Sequence, residues 1–168
     1  MSKLIVIAGI KRSGSTWLYN AVRLCLLHAG KTVHIAGDGQ FFQADCKADY
    51  QIVKKHPFDK QLADAADYVF TSDRDDEGIR ASWERFSGEV LTDEKLAMWR
   101  KWLDQWKPYS TGDMQFYDVC NLKVVIDLAK ILDVDLHSNV IREIDAVRPP
   151  TDKDYDPETL LFKNHITS

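Results

Sequence analysis

The first thirty residues place a strand pattern, a loop rich in glycine and serine, and a helical pattern in direct succession. Leu4–Ala8 is a continuous apolar run, as expected of a strand that is covered on both faces of a sheet. Gly9–Gly14 follows as a turn. From Trp17 onward, apolar residues recur every three or four positions until Gly30, a common helix stop. A buried strand that feeds a helix through such a loop predicts an α/β protein with a parallel sheet.

Strand and helix patterns alternate along the rest of the chain. Further strands are predicted at Thr32–Ala36, Tyr50–Val53, Tyr68–Thr71 and Met114–Tyr117. Helices are predicted at Asp59–Ala66, around Ile79–Phe86, after a Thr92 cap, at Asn121–Leu132 and at Ser138–Val147, and a loop at Arg148–Pro157. With 168 residues and no repeat or linker, we expect a single domain over residues 1–168. Its expected fold class is a three-layer α/β/α arrangement, in which helices cover both faces of a central parallel sheet. Ligands are expected at the carboxyl ends of the strands.

Composition and charge narrow the classes of partner. The net charge is −4, so binding of nucleic acid through bulk positive charge is not expected. No apolar run approaches the ~18 residues of a membrane span, and no secretory signal is recognisable, which predicts a cytoplasmic protein without a membrane span. Cys25, Cys46 and Cys120 have neither disulfide nor zinc-site spacing, and no metal is expected.

The loop after the first strand fits the phosphate-loop pattern G-x-x-x-x-G-x-[S/T]. It reads Gly9-Ile10-Lys11-Arg12-Ser13-Gly14-Ser15-Thr16. The glycines let successive backbone N–H groups converge on an anion, and the helix that follows adds the partial positive charge of its N-terminus. The candidate side-chain groups are the hydroxyls of Ser13, Ser15 and Thr16 and the cations of Lys11 and Arg12. The motif therefore predicts an anion site.

One departure from that pattern discriminates between reactions. Ser15 stands where nucleoside-triphosphate enzymes have a lysine. A kinase or ATPase uses that lysine together with magnesium and an aspartate that ends a later strand. Asp73 follows the Tyr68–Thr71 strand pattern and is a candidate for that aspartate, but Arg74 comes directly after it. The sequence therefore favours an anionic donor that needs no metal.

Two more segments are expected at the same sheet edge. Arg74 is followed eight residues later by Ser82, about two helical turns away. Arginine binds phosphate bidentately and serine donates a hydroxyl, although pairing of Arg74 with neighbouring carboxylates is an equal alternative. Lys54 and His56 end the third predicted strand, where histidine is the usual general base and lysine neutralises developing charge. A purely structural histidine is the alternative there.

Together these segments resemble the family of PAPS-dependent sulfotransferases, where PAPS is 3′-phosphoadenosine 5′-phosphosulfate. Arg12–Trp17 resembles the family's 5′-phosphosulfate loop, K-S-G-T-T-W. Ile52–His56 resembles its K-T-H segment, and Tyr68–Ser82 resembles its 3′-phosphate segment, a strand followed by R-x₇-S. Tyr117–Asp118 is similar to a Y-E-D element, and Phe162–Thr167 to a late W-K-N-H-F-T. The matches follow the family order and imply its P-loop-like sulfotransferase fold.

The resemblance also implies how the nucleotide donor is held. Ser13–Thr16 and their amides would bind the 5′-phosphate and the sulfuryl group. Trp17 would stack on the adenine, and Tyr117 would lie beside it. Arg74 and Ser82 would bind the 3′-phosphate. The family's R-K-G triplet, a further 3′-phosphate contact, would fall at Tyr155–Pro157, where no basic residue stands, so Arg148 and Lys153 are candidate substitutes.

The chemistry that the resemblance implies is in-line transfer of the sulfuryl group to a hydroxyl or amine acceptor, with release of 3′,5′-bisphosphoadenosine. His56 would take the proton of the acceptor, and Lys54 would neutralise the group in transfer. Arg12 matches the family's loop lysine, which faces the bridging oxygen. Such a reaction requires positioning and charge stabilisation rather than a metal.

Three questions stay open at the level of sequence. A P-loop kinase of small molecules or nucleotides and a noncatalytic module that binds the bisphosphate are the alternative functions. Members of the family are mostly longer, so a near-minimal donor-binding core is expected, whose open acceptor site a large substrate, a helix rich in tryptophan or a second subunit in a homodimer would complete. Trp99, Trp102 and Trp106 recur at helical spacing, which indicates core packing first. His165 is interpreted as structural.

Overall fold

The structure is a computed structural model that describes residues 2–36, 43, 45–118, 121–163 and 165. The strands are β1 (Lys3–Ile7), β2 (Val33–Ala36), β3 (Tyr50–Lys54), β4 (Tyr68–Asp73), β5 (Gly112–Gln115), β6 (Tyr155–Asp156) and β7 (Leu161–Phe162). The helices are α1 (Ser15–His28), α2 (Lys60–Ala65), α3 (Asp76–Ser87), α4 (Asp93–Trp106), α5 (Leu122–Leu132) and α6 (Asn139–Ala146). Short 3₁₀ turns lie at Lys107–Tyr109 and Phe116–Asp118. Cys120, Asn164, Ile166 and Thr167, named in the sequence analysis, lie outside the described residues.

Strands β1 to β5 form one parallel sheet in the order β2-β3-β1-β4-β5. The central strand β1 pairs with β3, where Ile5 lies opposite Ile52, and with β4, where Ile7 lies opposite Phe70. All five strands run in the same direction, so their carboxyl ends meet at one edge of the sheet. The loops that follow β3, β1 and β4 are therefore neighbours at that edge. The predicted α/β class is confirmed.

Helices cover both faces of the sheet. Ile5 and Ile7 of β1 are fully buried in a cluster with residues of α1, α5 and α6. Leu4 and Val6, which point to the other face, pack with Ala63 of α2 and Trp106 of α4. Because successive side chains of a strand alternate between faces, a strand that is apolar throughout needs cover on both sides. This is the expected three-layer α/β/α arrangement.

The tryptophans of α4 belong mainly to the core. Trp99 and Trp106 are 1% and 0% exposed, and Trp102 is partly buried against the same cluster as Trp99. The helix begins after Thr92, whose hydroxyl accepts a hydrogen bond from the Lys95 N–H. The interpretation of this stripe as core packing is therefore confirmed. No helix in the described part of the chain combines the length and the apolar character that crossing a bilayer requires.

The predicted elements differ from the structure at two places. The last sheet strand is β5, which ends at Gln115, and Phe116–Asp118 forms a 3₁₀ turn instead of continuing the strand. The predicted loop at Arg148–Pro157 contains β6, which pairs antiparallel with β7. Contacts with α1 anchor this hairpin: Arg23 forms an ion pair of 2.6 Å with Glu158, and Tyr19 donates to the Glu158 carbonyl. Two residues per strand are too few for a hydrophobic pattern to show in the sequence.

Candidate functional site

The structure brings the three predicted segments together at the carboxyl edge of the sheet. Lys54 Nζ, at the end of β3, donates to Thr16 Oγ1 of α1 over 2.7 Å. Arg12 Nε, in the loop after β1, donates to Ser82 Oγ of α3 over 3.0 Å. Arg74, directly after β4, reaches the Arg12 carbonyl with Nη1 at 3.4 Å. Residues that are up to 70 positions apart in sequence thus form one continuous cluster.

The loop between β1 and α1 is fixed by its contact with β4. A Cβ atom on Gly9, whose φ is +149°, would lie 2.4 Å from Ser72 Oγ, so only glycine fits there. Ser13 is fully buried, and its Oγ is within hydrogen-bond distance of Ile10 O (2.5 Å) and of the carbonyl and hydroxyl of Ser72 (3.0 and 2.7 Å). The Ser13 hydroxyl, a candidate donor for an anion, is thus engaged with Ile10 and Ser72 in this structure. The hydroxyl stabilises the loop, and the backbone N–H of Ser13 is the group that could bind an anion.

The start of α1 supplies the donors that remain. Gly14 is the residue before the helix and adopts a left-handed conformation, with φ of +84°. Ser15 and Thr16 are the first two helical residues, whose N–H groups have no carbonyl partner within a helix. The Thr16 hydroxyl accepts from Lys54, which sets the ammonium group beside the helix N-terminus. These groups form a positively polarised surface without the lysine of the standard phosphate loop.

His56 lies beneath this loop as a neutral, buried base. Its Nδ1 is 2.8 Å from the Gly9 carbonyl, and because a carbonyl only accepts, Nδ1 carries the proton and Nε2 has the free electron pair. Trp106 Nε1 donates to the His56 carbonyl, which fixes the backbone. Burial lowers the pKa of His56 to about 3, and the charges of Lys54, Lys11 and Arg12 act in the same direction.

Arg12 is held in a constrained position above α3. Its φ of +68° is unusual for a residue with a side chain, and such strain is commonly kept where function requires it. Its guanidinium lies 4.4 Å from the centre of the Phe86 ring, and Nε bonds to Ser82. Burial, together with the neighbouring charges of Arg74 and Arg85, lowers the pKa of Arg12 to about 10, and the group stays charged at neutral pH. Arg12 and Arg74 therefore bring two positive charges close together.

The side chain of Arg74 is oriented by Phe116 and Gly78. Its guanidinium lies 3.6 Å from the centre of the Phe116 ring, a stacked cation–π contact. A Cβ atom on Gly78 would lie 2.3 Å from Arg74 Nε, so the absence of a side chain on α3 makes room for the arginine. Among the described residues, Arg74 Nε is buried and has no hydrogen-bond partner. An anion is the ligand that would satisfy this arginine.

Asp73, the candidate magnesium ligand, is paired with cations. Arg100 of α4 binds its carboxylate through Nη1, and Lys107 Nζ lies 3.5 Å from the other oxygen. Arg100 also donates to the Arg74 carbonyl and, over 2.9 and 2.7 Å, to Asp76 at the start of α3. Two of the acidic neighbours that the sequence offers Arg74 as alternative partners, Asp73 and Asp76, are thus paired with Arg100.

The remaining predicted residues lie around this cluster. Tyr117 is 76% exposed, and its hydroxyl donates to Asp75, one residue from Arg74. Trp17 is partly buried against the core, and its Nε1 has no partner in the described part of the chain. Lys11 Nζ lies 5.6 Å from the centre of the Trp99 ring, on the α4 side of the loop. Arg148 donates to carbonyls at the end of α6, and Lys153 Nζ lies 3.1 Å from Asp156, so the contacts that these two cations make in the described part of the chain are away from the cluster.

His165, interpreted from the sequence as structural, packs close to the site. Its ring stacks on Phe86 with 5.2 Å between centres, and the same Phe86 ring contacts the Arg12 guanidinium. Its Nδ1 accepts from the Phe162 N–H over 2.8 Å, so the proton of the neutral ring is on Nε2. Burial, Arg12 and Lys54 lower its pKa to about 4. The signal available in the sequence was the late family-like segment, but its placement depends on the β6–β7 hairpin.

Two sides of the site can now be distinguished. The arginine side consists of Arg12, Arg74 and Ser82. The histidine side consists of Thr16, Lys54 and His56. The loop after β1 joins them, so that a molecule with two separate anionic groups would be bound at both ends. A groove of about 610 Å³ between α3 and α4 includes none of these residues in its lining.

Comparisons with known proteins agree with this architecture. No protein-family model matches the chain, and no curated protein matches its sequence. Mouse sulfotransferase SULT7A1 complexed with PAP superposes with a TM-score of 0.61 at 10% identity, over 86% of this chain and 63% of that chain. Retinol dehydratase in complex with androsterone and inactive cofactor PAP gives 0.56 at 15% identity, over 85% and 63%. An unliganded sugar kinase from Janibacter sp. HTCC2649 gives 0.53 at 14% identity, over 80% and 96%.

These similarities show that the chain has a sulfotransferase-like fold, as expected from the sequence. The chain spans 63% of the length of the SULT7A1 and retinol dehydratase chains. At identities of 10–15% the similarity is one of fold, so the chemistry has to be argued from the site.

Proposed function

We propose that this protein binds PAPS at the carboxyl edge of the sheet and transfers its sulfuryl group to a hydroxyl or amine acceptor. The observation that carries the proposal is the arginine side. Arg74 and Arg12, which follow different strands, lie together with Ser82, one loop away from the helix N-terminus of α1. A simple phosphate loop needs a single anion site. Two sites fit a nucleotide that carries a 3′-phosphate in addition to its 5′-phosphosulfate.

The residues then have distinct binding roles. The N–H groups of Ser13–Thr16 bind the 5′-phosphate and sulfuryl oxygens, helped by the Ser15 and Thr16 hydroxyls. Arg74 and Ser82 bind the 3′-phosphate, and a phosphate oxygen accepts a hydrogen bond from the buried Nε of Arg74. Trp17 and Tyr117 are placed beside the adenine in this proposal. The neighbouring SULT7A1 and retinol dehydratase structures contain PAP, which supports a donor of this type.

His56 and Lys54 carry the transfer step. The acceptor O–H or N–H gives its proton to Nε2 of His56 as the acceptor atom forms a bond to sulfur. The bond between sulfur and the bridging oxygen breaks, and its electron pair leaves on the 5′-phosphate of 3′,5′-bisphosphoadenosine. Lys54 and Arg12 neutralise the charge that develops on the transferring group and the bridging oxygen. Burial is the largest cause of the low pKa of His56, and the nearby cations are the second. The bound donor's negative charges offset the contribution of the cations, which makes the histidine a stronger base in the complex than in the free protein.

A P-loop kinase is the second candidate, because the sugar kinase is a structural neighbour. Two observations favour a sulfotransferase over a kinase. Ser15 replaces the lysine that reaches the terminal phosphates of a triphosphate. Asp73, the strand-end acid, is paired with Arg100 and Lys107, and these pairs would have to break before it could hold magnesium. A noncatalytic bisphosphate-binding module is distinguished by the absence of turnover. The homodimer and the cytoplasmic location expected from the sequence stay predictions.

Thermal denaturation with three additives tests the proposal. In buffer with EDTA, 3′,5′-bisphosphoadenosine at 100 times its dissociation constant should stabilise the protein by about 2.7 kcal/mol. Adenosine 5′-monophosphate at the same concentration should give a smaller shift, and ATP with magnesium, without EDTA, the smallest. A shift with ATP and magnesium but none with the bisphosphate would overturn the proposal in favour of a kinase. Release of bisphosphate from PAPS in the presence of an acceptor separates an enzyme from a binding module.

A further inference from the structure

Arg100 of α4 is the most highly connected cation near the site that the proposed function leaves unassigned. It is 28% exposed at the side chain and reaches across to the turn between β4 and α3. Its Nη1 binds the Asp73 carboxylate, its Nη2 binds the Arg74 carbonyl, and Nε and Nη2 bind Asp76. These partners lie 24 to 27 positions away in the sequence. One guanidinium therefore forms hydrogen bonds with the last residue of β4, with the turn and with the first residue of α3.

Arg74 lies between Asp73 and Asp76, the two acidic residues that Arg100 binds. Its side chain lies against the open space at Gly78, stacks on Phe116 and leaves Nε without a partner among the described residues. Each of these contacts depends on where the Arg74 backbone leaves β4. Arg100 fixes that departure point through the carbonyl of Arg74 and through the carboxylates on both sides of it.

Arg100 also removes an electrostatic conflict. Asp73 directly precedes the residue that would bind a phosphate, Asp76 follows it two positions later, and unpaired carboxylates at these positions would repel that anion. Arg100 contacts both carboxylates, and Lys107 adds a second contact to Asp73. The fork of a guanidinium is needed for this, because an ammonium group cannot address three acceptors on separate residues in the same geometry.

We propose that Arg100 is a positioning residue for the anion site of Arg74: it sets the β4–α3 turn so that the Arg74 guanidinium meets the 3′-phosphate, and thereby determines selectivity for 3′-phosphorylated adenine nucleotides. This inference rests on the proposed function. It assigns to α4 a role in nucleotide selectivity, although the proposed function gives no residue of α4 a contact with the nucleotide.

The test is the ratio of two dissociation constants, measured by isothermal titration calorimetry in EDTA. In the Arg100→Met protein, affinity for 3′,5′-bisphosphoadenosine should fall about tenfold, as expected when a binding group is displaced by a fraction of an ångström to 1 Å. Affinity for adenosine 5′-monophosphate should be unchanged, because this ligand does not engage Arg74. Arg100→Lys should give an intermediate loss of the bisphosphate.

Arg80→Met is the matched control. Arg80 also ties α3 to the region of α4, through the Leu91 carbonyl at 2.7 Å and Asp93 at 2.5 Å, but it does not contact the β4–α3 turn. It should lower thermal stability as Arg100→Met does, while the ratio of the two dissociation constants stays at the wild-type value. A change of that ratio with Arg80→Met would mean that any loosening of α3 and α4 has this effect, and would overturn the positioning role.

A double-mutant cycle with Arg74 completes the test. Once Arg74 is alanine, Arg100→Met should cause no further loss of bisphosphate affinity, because the group that it positions is gone. Additive losses in the double variant, or equal losses for both nucleotides in Arg100→Met alone, would contradict the inference. If the wild-type protein does not prefer the bisphosphate to the monophosphate, the proposed function itself fails and this inference with it; a wild-type preference that Arg100→Met leaves intact overturns the inference alone.

Discussion

The arginine side and the histidine side of the site handle charge in opposite ways. On the arginine side, Arg12 and Arg74 keep two charged guanidinium groups close together, each stacked on an aromatic ring. On the histidine side, burial keeps His56 neutral, with a pKa of about 3. The first arrangement favours the binding of an anion, and the second keeps a proton acceptor ready. One loop serves both because it carries Arg12 and, through the Gly9 carbonyl, holds the His56 ring.

This difference implies that binding and transfer can be removed separately. On the arginine side, Arg74 and Ser82 should control affinity and selectivity for the nucleotide, whereas Arg12, which the proposal also places at the bridging oxygen, should affect turnover as well. Side chains on the histidine side should control turnover and the dependence of stability on pH. Variants that fail to separate these effects would break the comparison.

The largest expected effect is on turnover. His56→Gln should lower the rate of sulfuryl transfer by about 10²- to 10⁴-fold, the usual contribution of a general base. Bisphosphate affinity should be retained, because glutamine can keep a donor near the Gly9 carbonyl. Bisphosphate release from PAPS measures the rate, and His137→Gln, at an exposed position before α6, is the control. Full activity in His56→Gln would leave His56 a purely structural role.

A smaller effect is expected for binding at the arginine side. Arg74→Ala should weaken 3′,5′-bisphosphoadenosine about 10- to 100-fold, since a hydrogen bond to a charged group contributes about 1.5–3 kcal/mol. Affinity for adenosine 5′-monophosphate should stay at the wild-type value. Calorimetric titration of both nucleotides measures the difference, with Arg142→Ala on the exposed surface of α6 as the control. Equal losses for the two nucleotides would show that Arg74 does not bind the 3′-phosphate.

The pH dependence of stability should come from the histidine side. The folded-state pKa of His56 is lowered to about 3, below the ordinary value of 6.5, so the unfolded chain binds a proton that the folded protein resists. Stability is therefore complete above pH 6.5 and is lost as the pH falls from 6.5 towards 3. At pH 5 the loss from His56 should be about 2 kcal/mol.

Urea denaturation at pH 7.5 and pH 5 measures this loss in the wild-type protein and in His56→Gln. The variant should lose less stability between the two pH values, and what remains includes the contribution of His165, whose pKa is lowered to about 4. The arginines contribute nothing over this range, because they stay charged. An identical pH dependence in both proteins would mean that the His56 ring is not buried as a neutral group.

The smallest effect sharpens the comparison from within α3. Gly78→Ala should raise the free energy of unfolding by up to about 1 kcal/mol, because alanine is the better helix former. The new Cβ takes the space of Arg74 Nε, so bisphosphate affinity should fall towards that of Arg74→Ala. A protein that is more stable and binds less tightly separates packing from function. In the Arg74→Ala background, Gly78→Ala should have no further effect on affinity, and a further loss there would argue against displacement of the guanidinium.

The sequence predicts the positions of strands, loops and helices well where the pattern that defines them lies within the element itself. The strand, loop and helix around Gly9–Thr16 follow from apolar runs and glycine spacing, and the parallel order then brings the segments ending at Lys54 and Arg74 to one edge. The side-chain environment depends on distant partners. Ser72 of β4 claims the Ser13 hydroxyl, and α4 supplies Arg100 to the turn at Arg74. Neither contact can be predicted from the residues around Ser13 or Arg74, because the partners are distant in the sequence.

The C-terminal region shows the same limit. Asp, Pro and Lys residues at 148–157 predict a loop, whereas β6 and β7 pair there and bring His165 to the ring of Phe86. The hairpin is held by side chains of α1, such as Arg23, that lie more than 130 positions earlier. Its formation is therefore a property of tertiary packing, which short strands with little pattern of their own do not reveal.

A crystal structure of the protein with 3′,5′-bisphosphoadenosine tests the central claim most directly. We expect the 5′-phosphate on the N–H groups at the start of α1, and the 3′-phosphate within hydrogen-bond distance of Arg74 and Ser82. A nucleotide whose phosphates lie in the groove between α3 and α4, or whose 3′-phosphate points into solvent away from Arg74, would contradict the two-site account of this sheet edge.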